Sequence, residues 1–305
     1  MQKIKGTFAG PLLVLVVYVL LLSSNFIDLD TLRLNDNVYL SMIILQLLIF
    51  ALPCIFYCIL RGTKAEQMRL RPLTVSKLWF SITCFGTLVF GNALINTAVF
   101  YIFGSESGFS IYNGTVSIGN TQITTIIYIT IALAIVPAIT EELLFRGILL
   151  SEYSNYGLFT SMTLSSLMFA MIHFNLNGLF AYFFCGIITA YAVYITQSLW
   201  SAVIVHFLYN AYSIFFESIL WDVIKSPNSL IFFLFVVVTL FIAFLVLSFN
   251  EAEKILYSAG IKGEQSPPEA TKKEGGSKLF FEALVSPSFL ACVLLFLVAT
   301  LILKK

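Results

Sequence analysis

Three short patterns hold most of the charged residues and histidines between Leu78 and Phe216. Glu141, Glu142 and Arg146 stand in "EELLFR", Phe169 and His173 in "FAMIH", and His206 and Asn210 in "HFLYN". His173 and His206 are the only two histidines of the 305 residues, and between Leu78 and Phe216 the only charged side chains are Glu106, Glu141, Glu142, Arg146 and Glu152. A carboxylate beside an imidazole can take a proton from a shared water, because an apolar surrounding makes the carboxylate a stronger base. The hydroxide so formed would attack a peptide carbonyl, and a pair of neutral donors aimed at one point would stabilise the oxyanion that results. This reading gives the water to Glu141 and His173. It gives the oxyanion to His206 and Asn210, which lie four residues apart on one helix face. An interhelical hydrogen bond accounts for the His206 and Asn210 pair equally well.

Glu142 and Arg146 are also four apart, acid before base, so they stack as an ion pair on one helix face. Such a pair can serve only to lock its helix to the neighbours. Glu141 points about 100° away and lacks that partner. Pro137, four residues earlier, removes a helical hydrogen bond and favours a kink of the kind that borders cavities in membrane helices. Glu141 and His173 are each sixteen residues from Gly157 in the turn "SNYG", so a hairpin pivoting there sets them at one depth. A metal site is disfavoured: there is no HExxH, adjacent Glu141 and Glu142 cannot both face one ion, and a zinc set would be His173, His206 and one glutamate. No GxSxG is present, and no cysteine stands beside a base in the sequence, which argues against a serine or cysteine nucleophile.

The elements that must position these groups are membrane helices. The chain is 59% hydrophobic and only 11% charged, where soluble domains are about 25% charged. Apolar runs near the roughly 20 residues needed for a crossing recur at about 8–23, 39–60, 78–103, 123–150, 158–174, 179–197, 199–216, 229–248 and 279–303. The expected fold is all-α, a polytopic transmembrane bundle of eight or nine helices. Charged groups at the bilayer centre cost about 2.5 to 3.5 kcal/mol each on insertion scales, so Glu141, Glu142 and Arg146 must face a protein interior or a hydrated cavity. The five cysteines, Cys54, Cys58, Cys84, Cys185 and Cys292, all fall inside expected helices without a CxxC pair and read as small apolar residues. A net charge of +1 gives no argument for nucleic acid.

Lys and Arg gather in the loop with Arg61, Lys64, Arg69, Arg71 and Lys77, and again in 250–278. The positive-inside rule makes both loops, and with them the N-terminus, cytoplasmic. The first segment lacks a small-x-small cleavage pattern and is expected to stay as an uncleaved helix. Expected units are N-terminal helices over 1–122, a catalytic core over 123–216, a membrane helix over 217–249, a flexible cytoplasmic loop over 250–278 and a C-terminal hydrophobic helix over 279–305. The Pro/Gly-rich loop is expected to separate that last helix from the bundle. Nine crossings would put Lys304 and Lys305 outside, so the last segment, interrupted by Pro287, is read as re-entrant or interfacial instead. No internal repeat of a transporter kind is visible.

The three patterns resemble the EExxxR, FxxxH and HxxxN motifs of the CPBP intramembrane proteases. That family takes in the type II CAAX prenyl endopeptidases and the Abi-type bacteriocin-processing and self-immunity proteins. The resemblance covers about 123–213, with no departure inside the motifs. It implies a glutamate-type endopeptidase of the membrane that needs no metal or other cofactor. It implies Glu141 as the base that activates water, His173 as its partner, and His206 with Asn210 at the oxyanion. Glu142 and Arg146 would support the site, with Phe169 packed beside it. The implied partners are the lipid bilayer and a peptide or protein substrate, prenylated or of the bacteriocin or pheromone kind, and the implied location is a bacterial cell membrane. Two other functions stay open on the residues. A proton or solute pathway would spread acids along the membrane normal, whereas here they are expected at one depth. A non-proteolytic scaffold or immunity protein of the same fold would keep the pocket for binding alone. Helix lengths leave one mismatch: His173 falls near the outer end of its expected helix and His206 about 10 Å from the inner end of its own, so they meet only if "FNLNG" dips into the bundle or the helix ends differ from those expected.

Overall fold

The computed structural model describes residues 6–27, 38–104, 122–226, 230–262 and 276–303. Among the described residues there are no strands and ten continuous helices: α1 Gly6–Ser24, α2 Val38–Arg61, α3 Val75–Phe103, α4 Ile123–Tyr153, α5 Leu158–Met171, α6 Leu179–Thr196, α7 Leu199–Ile224, α8 Leu230–Lys262, α9 Gly276–Leu284 and α10 Pro287–Leu303. Six of them (α2, α3, α4, α6, α7 and α8) are long and apolar enough to cross a membrane, while α1, α5 and α10 are shorter apolar helices. Every expected apolar run contains at least one helix. The count exceeds eight or nine because Pro287 opens α10 as its first residue, where a missing N–H costs nothing, and so splits the last run into α9 and α10.

Two further boundaries differ from the sequence expectation. The span placed at 199–216 continues to Ile224, and the stretch 250–262, expected as loop, extends α8 to Lys262. Ala252 and Ile255 stay buried there, and Glu251 pairs with Lys254 at 2.6 Å, so this turn keeps both an apolar contact and a helical ion pair. The rest of the expected loop, 263–275, lies outside the described residues, as do most of 24–38 and 104–122, Glu106, and Lys304 with Lys305. The last helix is not set apart from the bundle. It packs along α1, where the Ser288 hydroxyl donates to the Phe8 carbonyl at 3.0 Å and the Cys292 thiol to that of Pro11 at 3.4 Å. All five cysteines are free thiols.

The hairpin of α4 and α5 turns at Gly157, whose φ of 94° lies in the region that favours glycine. The α5/α6 hairpin brings two backbones into close approach. A Cβ on Gly186 of α6 would stand 2.7 Å from Cβ and 2.8 Å from Cα of Ser166 on α5. Gly186→Ala must therefore push two backbones apart and is expected to cost about 1–3 kcal/mol, read as a lower thermal midpoint of the detergent-solubilised protein.

α5 is only 14 residues long, about 21 Å at 1.5 Å per residue, and ends well short of a full crossing. The chain then turns through "IHFNLNG" before α6. Tyr18 of α1 holds this turn: its hydroxyl donates to the Met168 carbonyl at 2.5 Å, and its ring meets that of Phe174 edge-on at 5.4 Å. Phe174 adopts φ 46°, rare for a bulky residue, and is buried. The Asn175 side chain accepts from the Gly178 N–H at 3.0 Å and opens α6. The early end of α5 removes the depth mismatch between His173 and His206.

Candidate active site

The site forms where α4 departs from regular helical winding. Two π-helical stretches of α4, Thr130–Ile135 and Leu143–Leu149, flank an α-helical stretch, Val136–Glu142, that begins with Pro137 and ends with both glutamates. A third, Leu47–Ala51, lies in α2 immediately after Gln46. Wider turns of this type recur at functional sites because the inserted residue re-aims the side chains around it. Here they turn Glu141 towards α2, where the Gln46 side-chain amide donates to Glu141 Oε1 at 3.2 Å and to Thr140 Oγ1 at 3.3 Å. Glu141 therefore has a neutral partner, and its carboxylate forms no ion pair among the described residues.

Glu142 faces the opposite way, into the interior. Its Oε1 accepts from Arg146 Nη1 at 3.1 Å and lies 2.8 Å from His206 Nδ1, with both glutamate and arginine fully buried. Arg146 Nη2 also donates to the Gly186 carbonyl at 3.0 Å, and its guanidinium carbon stands 4.5 Å from the centre of the Phe169 ring. The buried cation thus has a carboxylate, a carbonyl and a ring face, which together offset the loss of water. With a carboxylate at Nδ1, that nitrogen of His206 carries a proton, and the ring is fixed with Nε2 directed away from Glu142.

Phe169 joins the remaining groups. Its ring meets His173 at 5.1 Å and His206 at 5.5 Å between centroids, nearly perpendicular to both. His173 Nδ1 donates to the Phe169 carbonyl at 3.0 Å, and its other face stacks on Tyr182 of α6 at 3.7 Å and 14°. Asn210 follows His206 by one turn of α7, is 2% exposed, and its side-chain oxygen has no hydrogen-bond partner.

The structure thus brings Glu142, Arg146, Phe169, His173 and His206 into one connected cluster, with Glu141 beside it on α4 and Asn210 beside it on α7. Three participants escaped the sequence reading. Gln46 is the only amide in the apolar run 39–60, which was the available signal. Tyr182 and the Gly186 carbonyl carry none, since an aromatic residue and a glycine are ordinary in such a helix. The expectation that buried acids share one depth also fails: Glu217, one residue past the expected helix end, is buried on α7 three turns beyond His206. Among the described residues no group of three or more His, Cys, Asp and Glu side chains is placed to hold a metal ion.

No curated protein and no solved structure matches the chain. A family model does match, over residues 123–212, which span α4 to α7 up to two residues past Asn210; its description is type II CAAX prenyl endopeptidase Rce1-like. The segment that carries all three motifs, and every residue of the cluster apart from Gln46, accordingly lies within the match to the Rce1-like protease family.

Proposed function

We propose that the protein is an intramembrane endopeptidase that hydrolyses a peptide bond with a water activated by Glu141. The observation that carries this reading is the clasp around Phe169, which holds two imidazoles on one ring next to a carboxylate free of any cationic bond. Glu141 takes a proton from water while His173, its Nδ1 committed to the Phe169 carbonyl, orients that water. The hydroxide adds to the peptide carbonyl, the C–N bond of the tetrahedral adduct breaks, and Glu141 returns its proton to the leaving amine. His206 and Asn210 stabilise the oxyanion. Because Nδ1 of His206 is held by Glu142, Nε2 is the ring nitrogen left to face the oxyanion. Glu142, Arg146 and Phe169 position His206 and do not themselves meet the substrate.

The reading extends to a substrate that is a membrane-associated peptide, either a prenylated CAAX-type tail or a bacteriocin or pheromone precursor, and to a metal-independent mechanism. It is tested by offering purified protein a panel of fluorogenic peptides, prenylated and unprenylated, beside His173→Ala. The expected outcome is cleavage of one class and a loss of about 100-fold or more in the variant. No cleavage of any peptide, together with full cellular function of His173→Ala, would favour a scaffold. Glu217 gives the alternative of a proton pathway a second acid at another depth; a pathway would show proton flux in vesicles without cleavage.

A further inference from the structure

A second buried polar cluster lies away from the catalytic groups, between α3 and α7. Both helices are fixed in parallel register near their C-terminal ends: the Phe100 and Trp221 rings meet at 6.1 Å, and the Tyr101 hydroxyl donates to the Ile224 carbonyl at 3.0 Å. Stepping back four residues at a time from Phe100 gives Asn96 and Asn92; from Trp221 it gives Glu217 and Ser213. Residues four apart share a helix face, so the ridge Asn92, Asn96, Phe100 lies along the ridge Ser213, Glu217, Trp221. All four polar members are buried, at 1% exposure for Asn92 and Asn96, 7% for Ser213 and 4% for Glu217.

The Glu217 side chain leans back towards the start of its helix, as helical side chains do, and the Ser213 hydroxyl donates to its Oε2. That sets the carboxylate at the level of Ser213, which by the register is also the level of Asn92. Glu217 Oε1 and both atoms of the Asn92 amide make no hydrogen bond of ordinary length; the nearest further polar groups are the Trp221 side chain beside Glu217 and the Tyr209 hydroxyl beside Asn92. No Lys, Arg or His pairs with Glu217 among the described ion pairs. Buried carboxylate and amide oxygens without a hydrogen bond of ordinary length are costly, and two from different helices at one depth leave a place for a shared occupant.

We propose that Glu217 Oε1 and Asn92 Oδ1, with Asn96 and Ser213 beside them, form a site for a monovalent alkali cation of sodium type. The donors are all hard oxygens, with no sulfur or imidazole, which disfavours transition metals. A single carboxylate balances one positive charge, and the divalent ions that oxygen sites also take are usually held by more anionic charge. The site ties α3 to α7, the helix that carries His206 and Asn210, and it does not depend on the peptidase reading.

The test is the thermal midpoint of the purified full chain in sodium chloride, potassium chloride and choline chloride at equal ionic strength. Sodium at a concentration well above its dissociation constant should raise the midpoint by about 3 °C or more over choline. Glu217→Gln, which removes the charge and keeps the shape, should abolish that difference, and Asn92→Ala should shift it to higher sodium concentration. Equal midpoints of the wild type in sodium and choline would overturn the proposal whatever the variants do. So would a sodium effect of undiminished size in Glu217→Gln. In either case Glu217 is a buried acid that bonds its neighbours Ser213 and Trp221 and holds no cation.

Discussion

Glu141→Gln is expected to lower kcat by roughly 10³, within the range of about 10² to 10⁴ that a positioned general base contributes, while KM changes little. The substitution is well suited to the structure. Gln46 donates to Glu141 Oε1, and glutamine keeps an oxygen there, so the contact between α2 and α4 survives and only the basic group is lost. The variant should therefore purify and melt like the wild type. Peptide cleavage at saturating substrate checks the rate, and a thermal melt checks the fold. A large loss of stability would instead make Glu141 a structural residue of the α2/α4 contact.

Arg146→Met should have the largest effect on stability. Its removal leaves the Glu142 carboxylate, which is fully buried and has Oε2 already without a partner, with His206 alone. Breaking a buried pair by deleting one member costs about 3–5 kcal/mol, which corresponds to a fall of about 10 °C in the thermal midpoint. The double variant Glu142→Gln/Arg146→Met should regain much of this, because no unpaired charge remains. Such non-additivity marks a direct interaction. Arg146→Lys should recover less, since one ammonium cannot reach Glu142 Oε1, the Gly186 carbonyl and the Phe169 face with the planar geometry of a guanidinium. Retained activity at low temperature in Arg146→Met would agree with a positioning role. Full stability would mean that Glu142 is held neutral.

The chemistry-bearing residues were legible because the bilayer makes them so. Glu141, Glu142, Arg146, His173, His206 and Asn210 each interrupt a long apolar run, and only a packed interior or a cavity accommodates that. The i,i+4 spacing read for Glu142 and Arg146 is realised as a 3.1 Å pair, since local geometry fixes it. Tertiary partners were out of reach. Nothing near Glu142 in the sequence points to His206, 64 positions away, and Phe169 reads as one apolar residue among many until its ring is seen between two imidazoles. The length of α5 was overestimated because "IHFNLNG" is apolar enough to continue a helix. What stops it is the left-handed Phe174 and its packing on Tyr18, a long-range contact with α1. Glu217 was passed over for lying next to a boundary drawn by hydropathy. That boundary was short because the helix continues through residues of mixed polarity that find buried partners on α3.

The most direct test of catalysis by a glutamate-activated water is hydrolysis of one membrane peptide by wild type and Glu141→Gln, each assayed as purified, after exhaustive chelation, and after chelation with zinc added back. The expected result is an unchanged wild-type rate in all three conditions and a rate about 10³ lower for the variant in each. A wild-type rate that vanishes on chelation and returns with zinc, or a variant that cleaves as fast as the wild type, would contradict it.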